Sequence, residues 1–134
     1  MRRLLAMVAA LGTWTSGASA QANDAIGDVI SSQLDAFVAR DITEAWSHAS
    51  PNIQRMFGNP GNFGVMVQNG YPMVWDNRDA EFLEHAEIGG QIMQRVLIED
   101  PEGARYICIY AMVETEEGWK INGVQVMPAP ELAA

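Results

Sequence analysis

Between Ile26 and Val38 the apolar side chains recur at steps of three and four: Ile26, Val29, Ile30, Leu34, Phe37 and Val38, with Gln33 the one polar member of the row. That period lays a nearly continuous apolar stripe along one side of an α-helix. Asp24 suits the first turn as a cap or as a partner of the N-terminal dipole, and Arg40 suits the end. A shorter helix is predicted over Ile42 to Ala49, burying Ala45 and Trp46. Ser50-Pro51 and Asn59-Pro60 mark two further starts. Each supplies an N-cap oxygen followed by a residue whose missing N–H costs nothing in a first turn. The first opens a short turn that ends at Gly58. The second carries Phe63, Met66 and Val67 and closes at Gly70 in a left-handed cap. Gly61 and Gly64 lower its intrinsic propensity, so tertiary packing has to hold it.

Beyond Tyr71-Pro72 the period shortens to two. Asp79 to Ile88 alternates imperfectly, with Ala80, Phe82, Ala86 and Ile88 on one side and Glu81, His85 and Glu87 on the other. Gly89-Gly90 is a turn, and Gln91 to Ile98 reads as the next strand. Pro101-Glu102-Gly103 turns the chain into Arg105 to Glu114, which is apolar on both faces. Such a strand belongs in the middle of a sheet. Glu116-Glu117-Gly118 leads into Trp119 to Met127, where Trp119 and Ile121 have one parity and Val124 and Val126 the other. A bulge at Asn122-Gly123 brings all four to one side. Helices followed by a four-stranded meander define an α+β domain, its N-terminal helices packed on a curved antiparallel sheet. One end of such a sheet opens as a cone with a pocket.

Residues 1–20 read as a signal peptide: Arg2-Arg3, an apolar run from Leu4 to Trp14, and Ala18-Ser19-Ala20 before the cut. The run is about half the roughly 20 residues that span a bilayer, so it is not read as a permanent anchor. The expected location is therefore the periplasm or beyond, with no membrane contact after cleavage. Residues 21–127 make one domain, and residues 128–134, with two prolines, a flexible tail. The 134-residue chain carries 8 Lys+Arg against 17 Asp+Glu, net −9. Loss of Arg2 and Arg3 with the leader deepens this acidity. A chain this acidic lacks the clustered cations that displace counterions from a phosphate backbone, which argues against nucleic acid. Cys108 is the single cysteine, so no internal disulfide forms and the core alone supplies stability.

Ala49-Ser50-Pro51-Asn52-Ile53-Gln54, Phe57-Gly58, Phe63, Met66-Val67, Gly70-Tyr71-Pro72 and the closing Gly118-Trp119-Lys120-Ile121 with Gly123 together carry a resemblance. The order resembles the nuclear transport factor 2-like (cystatin-like) superfamily and, more narrowly, an exported bacterial family known as domain of unknown function 4864. The resemblance implies the helix-on-cone fold. It does not imply a reaction, since the superfamily includes isomerases, dehydratases, hydrolases and binding modules.

Acid–base chemistry in the cone requires a carboxylate or imidazole facing the apolar interior. The first helix presents none, because Asp28 and Asp35 fall on its outer side, and the central strand offers only Tyr106, Cys108 and Tyr110. This departs from the ketosteroid-isomerase pattern, and no catalytic residue is assigned. Glu44 with His48, and Glu81, His85 and Glu87, are too sparse a ligand set for zinc, so neither metal nor cofactor is expected. Tyr71, Trp75 and Asp76 form an aromatic lip for a ligand, or close the end of the core. The expected function is a non-catalytic module for a small apolar ligand or a protein partner, with Tyr71, Trp75, Asp76, Tyr110 and His48 as binding candidates. The alternative is a lyase or isomerase using Asp76, His48 or Tyr110. A homodimer through the sheet is a further expectation, suggested by the apolar second face of the central strand.

Overall fold

The computed structural model describes residues 22–130. The expected signal peptide and the last four residues lie outside them. The first helix, α1, spans 22–38. It is followed by α2 (Ile42–Ser47), α3 (Pro51–Phe57), α4 (Pro60–Gly70) and α5 (Pro72–Trp75). Then come β1 (Asp79–Ile88), β2 (Gln91–Glu99), β3 (Arg105–Thr115) and β4 (Gly118–Pro128), antiparallel in the spatial order β1-β2-β3-β4.

Ile26, Ile30, Leu34 and Phe37 of α1 are at most 2% exposed and pack in one core with Val96 and Ile98 of β2 and Cys108, Tyr110 and Met112 of β3. Val38 departs from the expected stripe and is exposed. The chain leaves the helix there through a left-handed Arg40 (φ 60°), with the Arg40 and Asp41 amides donating to Phe37 and Ala36 carbonyls. That turn gives Ala36, not Val38, the buried position. Asp24 lies inside the helix rather than before it.

Ser50 and Asn59 cap α3 and α4 as their sequence pairs require: Ser50 Oγ accepts from the Ile53 amide, Asn59 Oδ1 from that of Asn62. Gly64 is buried where α4 crosses α2, and a Cβ there would meet Ile42 Cγ2 at 3.2 Å. Its low helix propensity is thus exchanged for close approach. The expected left-handed cap at Gly70 is not formed. Tyr71 ends the helix at φ −135°, as the restriction imposed by Pro72 on the residue before it favours, and Pro72 begins the unexpected one-turn α5.

Both edge strands carry a bulge. In β4, Gly123 pairs with Ala111 and Ile121 with Met112, leaving Asn122 extra. Trp119, Ile121, Val124 and Val126 therefore share the core side, as the parity of the sequence requires. In β1 the register slips between Phe82 and His85, which the alternation did not reveal. His85 pairs with Gln94 and so joins Ala80 and Phe82 on the helix side, while Ala86 and Ile88 turn outward. The expected face shared by Glu81, His85 and Glu87 is split: Glu81, opposite Leu97, is on the outer side. β4 also pairs one residue further than expected, to Pro128, and the Ala129 amide donates to Arg105.

Candidate functional site

A cavity of about 240 Å³ opens between α1, α3, α4 and the bulged strand β4. Its back wall is Ile121, Gly123 and Val124, held against the helices by the bulge. The Ile121 amide donates to the His48 carbonyl and the Ser50 amide to that of Ile121, both at 2.8 Å. Ser50, wholly buried, donates from Oγ to Asn122 Oδ1 at 2.7 Å, so the link between α2 and α3 is sewn to the extra residue. Phe63 sits at the centre of the helical wall, with ring centroids 5.9 Å from Phe37, 5.9 Å from Phe57 and 5.6 Å from Trp46. Met56, 65% exposed, stands at the mouth.

Two side chains give this wall polarity. Tyr71 Oη donates to the Val124 carbonyl at 3.3 Å, a long bond at the cavity edge. Gln33, 3% exposed, donates from Nε2 to the Ala45 carbonyl at 3.1 Å. The cavity lining contains no carboxylate, imidazole, thiol, ammonium or guanidinium. Its chemistry is that of an apolar receptacle with neutral hydrogen-bonding groups.

Of the residues singled out from the sequence, Tyr71 lines the cavity. Trp75 packs against the core with its ring centroid 6.0 Å from that of Phe37. It and Asp76, at the end of α5, lie outside the cavity lining, where Arg40 joins them. The Arg40 guanidinium stacks 4.4 Å from the Trp75 ring, donates to the Phe37 and Trp75 carbonyls at 2.8 Å, and pairs with Asp76 Oδ1. His48 pairs with Glu44 Oε2 at 2.8 Å on α2. Tyr110 lies inside the core with its hydroxyl unpartnered, and burial, with Cys108 adding to it, drives that phenol well above its ordinary pKa. Asp76, His48 and Tyr110 are therefore in three separate environments and do not converge. Burial also pushes the Cys108 thiol up to about 12, which leaves it protonated and unreactive at neutral pH.

The sequence reading missed the contribution of α3. Ile53, Met56 and Phe57 follow helical spacing, and that alone marks a wall-forming face. Gln33 carried a signal too: a single amide in an otherwise apolar stripe.

The helices over one concave sheet, with the cavity at their junction, define the cone-like α+β class of nuclear transport factor 2-like proteins. A crystal structure of an NTF2-like protein of unknown function from Shewanella baltica OS155 shares this fold. It matches with a TM-score of 0.55 over 82% of this chain and 97% of that one, at 15% identity. The chain belongs to the family described as domain of unknown function (DUF4864), whose model matches residues 19–134. A search of curated proteins finds no match.

Proposed function

We propose that this is an exported, non-catalytic module that holds a small apolar molecule in the cavity between α3, α4 and β4. The observation that carries this reading is the lining: 240 Å³ of space walled by aromatic and aliphatic side chains, with Gln33 and Tyr71 the polar exceptions and no charged group. An apolar cavity of about 150 Å³ already holds benzene, so this one has room for a substituted ring or a short branched chain. Export follows from the leader pattern, with cleavage after Ala20.

Native mass spectrometry of the protein recovered from its own compartment tests both parts. The expected spectrum shows a chain beginning at Gln21 with a small neutral adduct, absent from a Val67→Phe variant that fills the cavity. An empty wild-type chain that also takes up no small aromatic probe would overturn the binding reading. A chain retaining residues 1–20 would overturn export.

A second reading, compatible with the first, concerns the outer face of the sheet. Ile107 is 5% exposed yet lies outside the main core, flanked across the strands by Leu97 and Met127. Ile109, Ala111 and Met93 extend the patch, and Arg95 within it is met by Glu84 at 2.9 Å. A second copy offers the same patch, and two such faces are self-complementary by a two-fold axis. Sedimentation is expected to show a dimer that Ile107→Glu dissociates. A wild-type monomer would remove this reading and leave the cavity untouched.

A further inference from the structure

We propose that the Gln33 amide selects the ligand of this cavity, and that the ligand is a neutral alcohol or phenol rather than a plain hydrocarbon or an organic acid. The inference rests on the binding reading above and adds the chemical class. Gln33 interrupts the apolar stripe of α1 at a position where a Leu or Met would continue it, and it is 3% exposed. Burying an amide is unfavourable unless its polar atoms find partners. Nε2 donates to the Ala45 carbonyl. The amide oxygen accepts no hydrogen bond among the described residues and is not one of their enclosed unpartnered atoms, so it reaches accessible space.

A purely architectural role does not account for the amide. The Ala45 carbonyl that it meets also accepts the His48 amide at 3.2 Å, so that oxygen is satisfied without Gln33. The Nε2 bond does something else. It fixes which end of the side chain is nitrogen, and so leaves a carbonyl oxygen for the occupant of the cavity that Gln33 lines. Across the cavity, Tyr71 Oη spends its proton on Val124 and keeps lone pairs free. Both groups are therefore acceptors waiting for a donor, which a hydroxyl supplies and a hydrocarbon does not. The lining has no cation, so an ionised carboxylate would enter unpaired, a heavily penalised state.

The test uses three probes of one shape on the purified protein: ethylbenzene, 4-ethylphenol and 4-ethylbenzoate, titrated by calorimetry or by NMR shifts of the cavity methyl groups. One buried hydrogen bond predicts that 4-ethylphenol binds about tenfold more tightly than ethylbenzene, with 4-ethylbenzoate weakest. In Gln33→Met, which keeps length and volume, the phenol-to-hydrocarbon ratio is expected to fall severalfold, and in Gln33→Met with Tyr71→Phe to near one. Equal wild-type affinities for ethylbenzene and 4-ethylphenol would overturn the role of Gln33 while leaving the cavity a binding site. A ratio unchanged in Gln33→Met would do the same. Binding of 4-ethylbenzoate as tight as that of the phenol would overturn the neutral class. Failure of all three probes to bind would count against the cavity reading itself.

Discussion

The two bulges of the sheet do opposite things to the apolar pattern. In β4 the extra Asn122 gathers Trp119, Ile121, Val124 and Val126 onto the core side. In β1 the extra residue after Phe82 brings His85 and Glu87 round to the helix side and sends Ala86 and Ile88 away. The difference follows from what lies above each strand. β4 runs beneath the α2–α3 link and forms the cavity wall, whereas every residue of β1 from Glu84 to Ile88 is exposed. Each bulge is nevertheless fastened by a buried polar side chain. Ser50 holds Asn122, and Gln94 donates from Nε2 to the Leu83 carbonyl at 2.9 Å. A bulge is a parity switch, and its energetic worth is the apolar area that it redirects.

Deleting two residues from each bulge, which leaves each strand one residue short of its partner, tests this most severely. A single deletion would only restore regular pairing with every face unchanged. Without both Asn122 and Gly123, Ile121 falls opposite Ala111, so Trp119 and Ile121 turn to the outer side, and the Ser50 hydroxyl loses its acceptor. Two large side chains leaving the core cost about 4 kcal/mol in total, a large share of the roughly 5–15 kcal/mol that holds a domain folded. Without both Leu83 and Glu84, exposed residues exchange faces and one exposed ion pair is lost, a change expected to stay within about 1 kcal/mol. Urea unfolding of the two deletion variants measures both. Equal losses would abolish the distinction between the bulges.

The same contrast explains which parts of the architecture were legible in the residues. The β4 bulge could be read because four large apolar side chains on two parities cannot all be buried by a regular strand, and Asn122-Gly123 sits at the change. The β1 bulge could not: Ala86 and Ile88 look like continued alternation, and nothing in the local sequence reports that no helix covers them. The proline-marked starts of α3 and α4 were equally plain, because a cap oxygen and a missing N–H act within one turn. The Arg40 exit from α1 was hidden, since its left-handed conformation is held by Trp75 and Asp76, about thirty-five residues away. The cavity was harder still. Tyr71 was visible as an aromatic at a chain reversal, but Gln33, Ile53 and Val124 become neighbours only through the tertiary fold.

A milder probe removes the fastening and leaves the bulge. Ser50→Ala loses the cap on the Ile53 amide and the bond to Asn122, in a site with no exposure to water. A cap is worth about 1 kcal/mol and a buried acceptor left without its donor about 1–3 kcal/mol, so the expected loss is about 2–3 kcal/mol. Ligand affinity should fall as well, because the Ile121–Val124 wall loosens with it. Stability lost without any change in probe binding would show that the bulge and the cavity wall are independent.

The comparison also assumes that both edges hang on one cooperative centre, and pH tests that. Cys108 pairs with Val96 on the β1 side and Val126 on the β4 side. Its thiol moves from 9.0 to about 12 on folding, so the unfolded chain ionises first as pH rises. Its contribution is therefore whole below pH 9 and is lost progressively up to 12. Near pH 10 the loss is about 1 kcal/mol, and Cys108→Ala should flatten that part of the decline. Tryptophan fluorescence, which reports Trp46 and Trp75 in the helical half together with Trp119 in β4, and far-UV circular dichroism should give one coincident transition throughout. Separate transitions would mean that the two edges unfold independently.

The smallest expected effect has the opposite sign. Tyr110 lies in β3 opposite Gln94, which fastens the β1 bulge, and opposite Val124, which lines the cavity, so it touches both halves of the comparison. Its hydroxyl is fully buried and makes no hydrogen bond among the described residues. Tyr110→Phe removes that desolvated group, leaves no polar partner stranded and keeps the ring. Since an unpaired buried hydroxyl is a cost of about 1–3 kcal/mol and the new void is smaller than a methyl group, the variant should be as stable as the wild type or up to about 1 kcal/mol more so. Chemical denaturation decides it. Destabilisation by more than 1 kcal/mol would mean that the hydroxyl has a partner, and an ordered water between Tyr110 and the Gln94 amide oxygen would then join the two fastenings into one network.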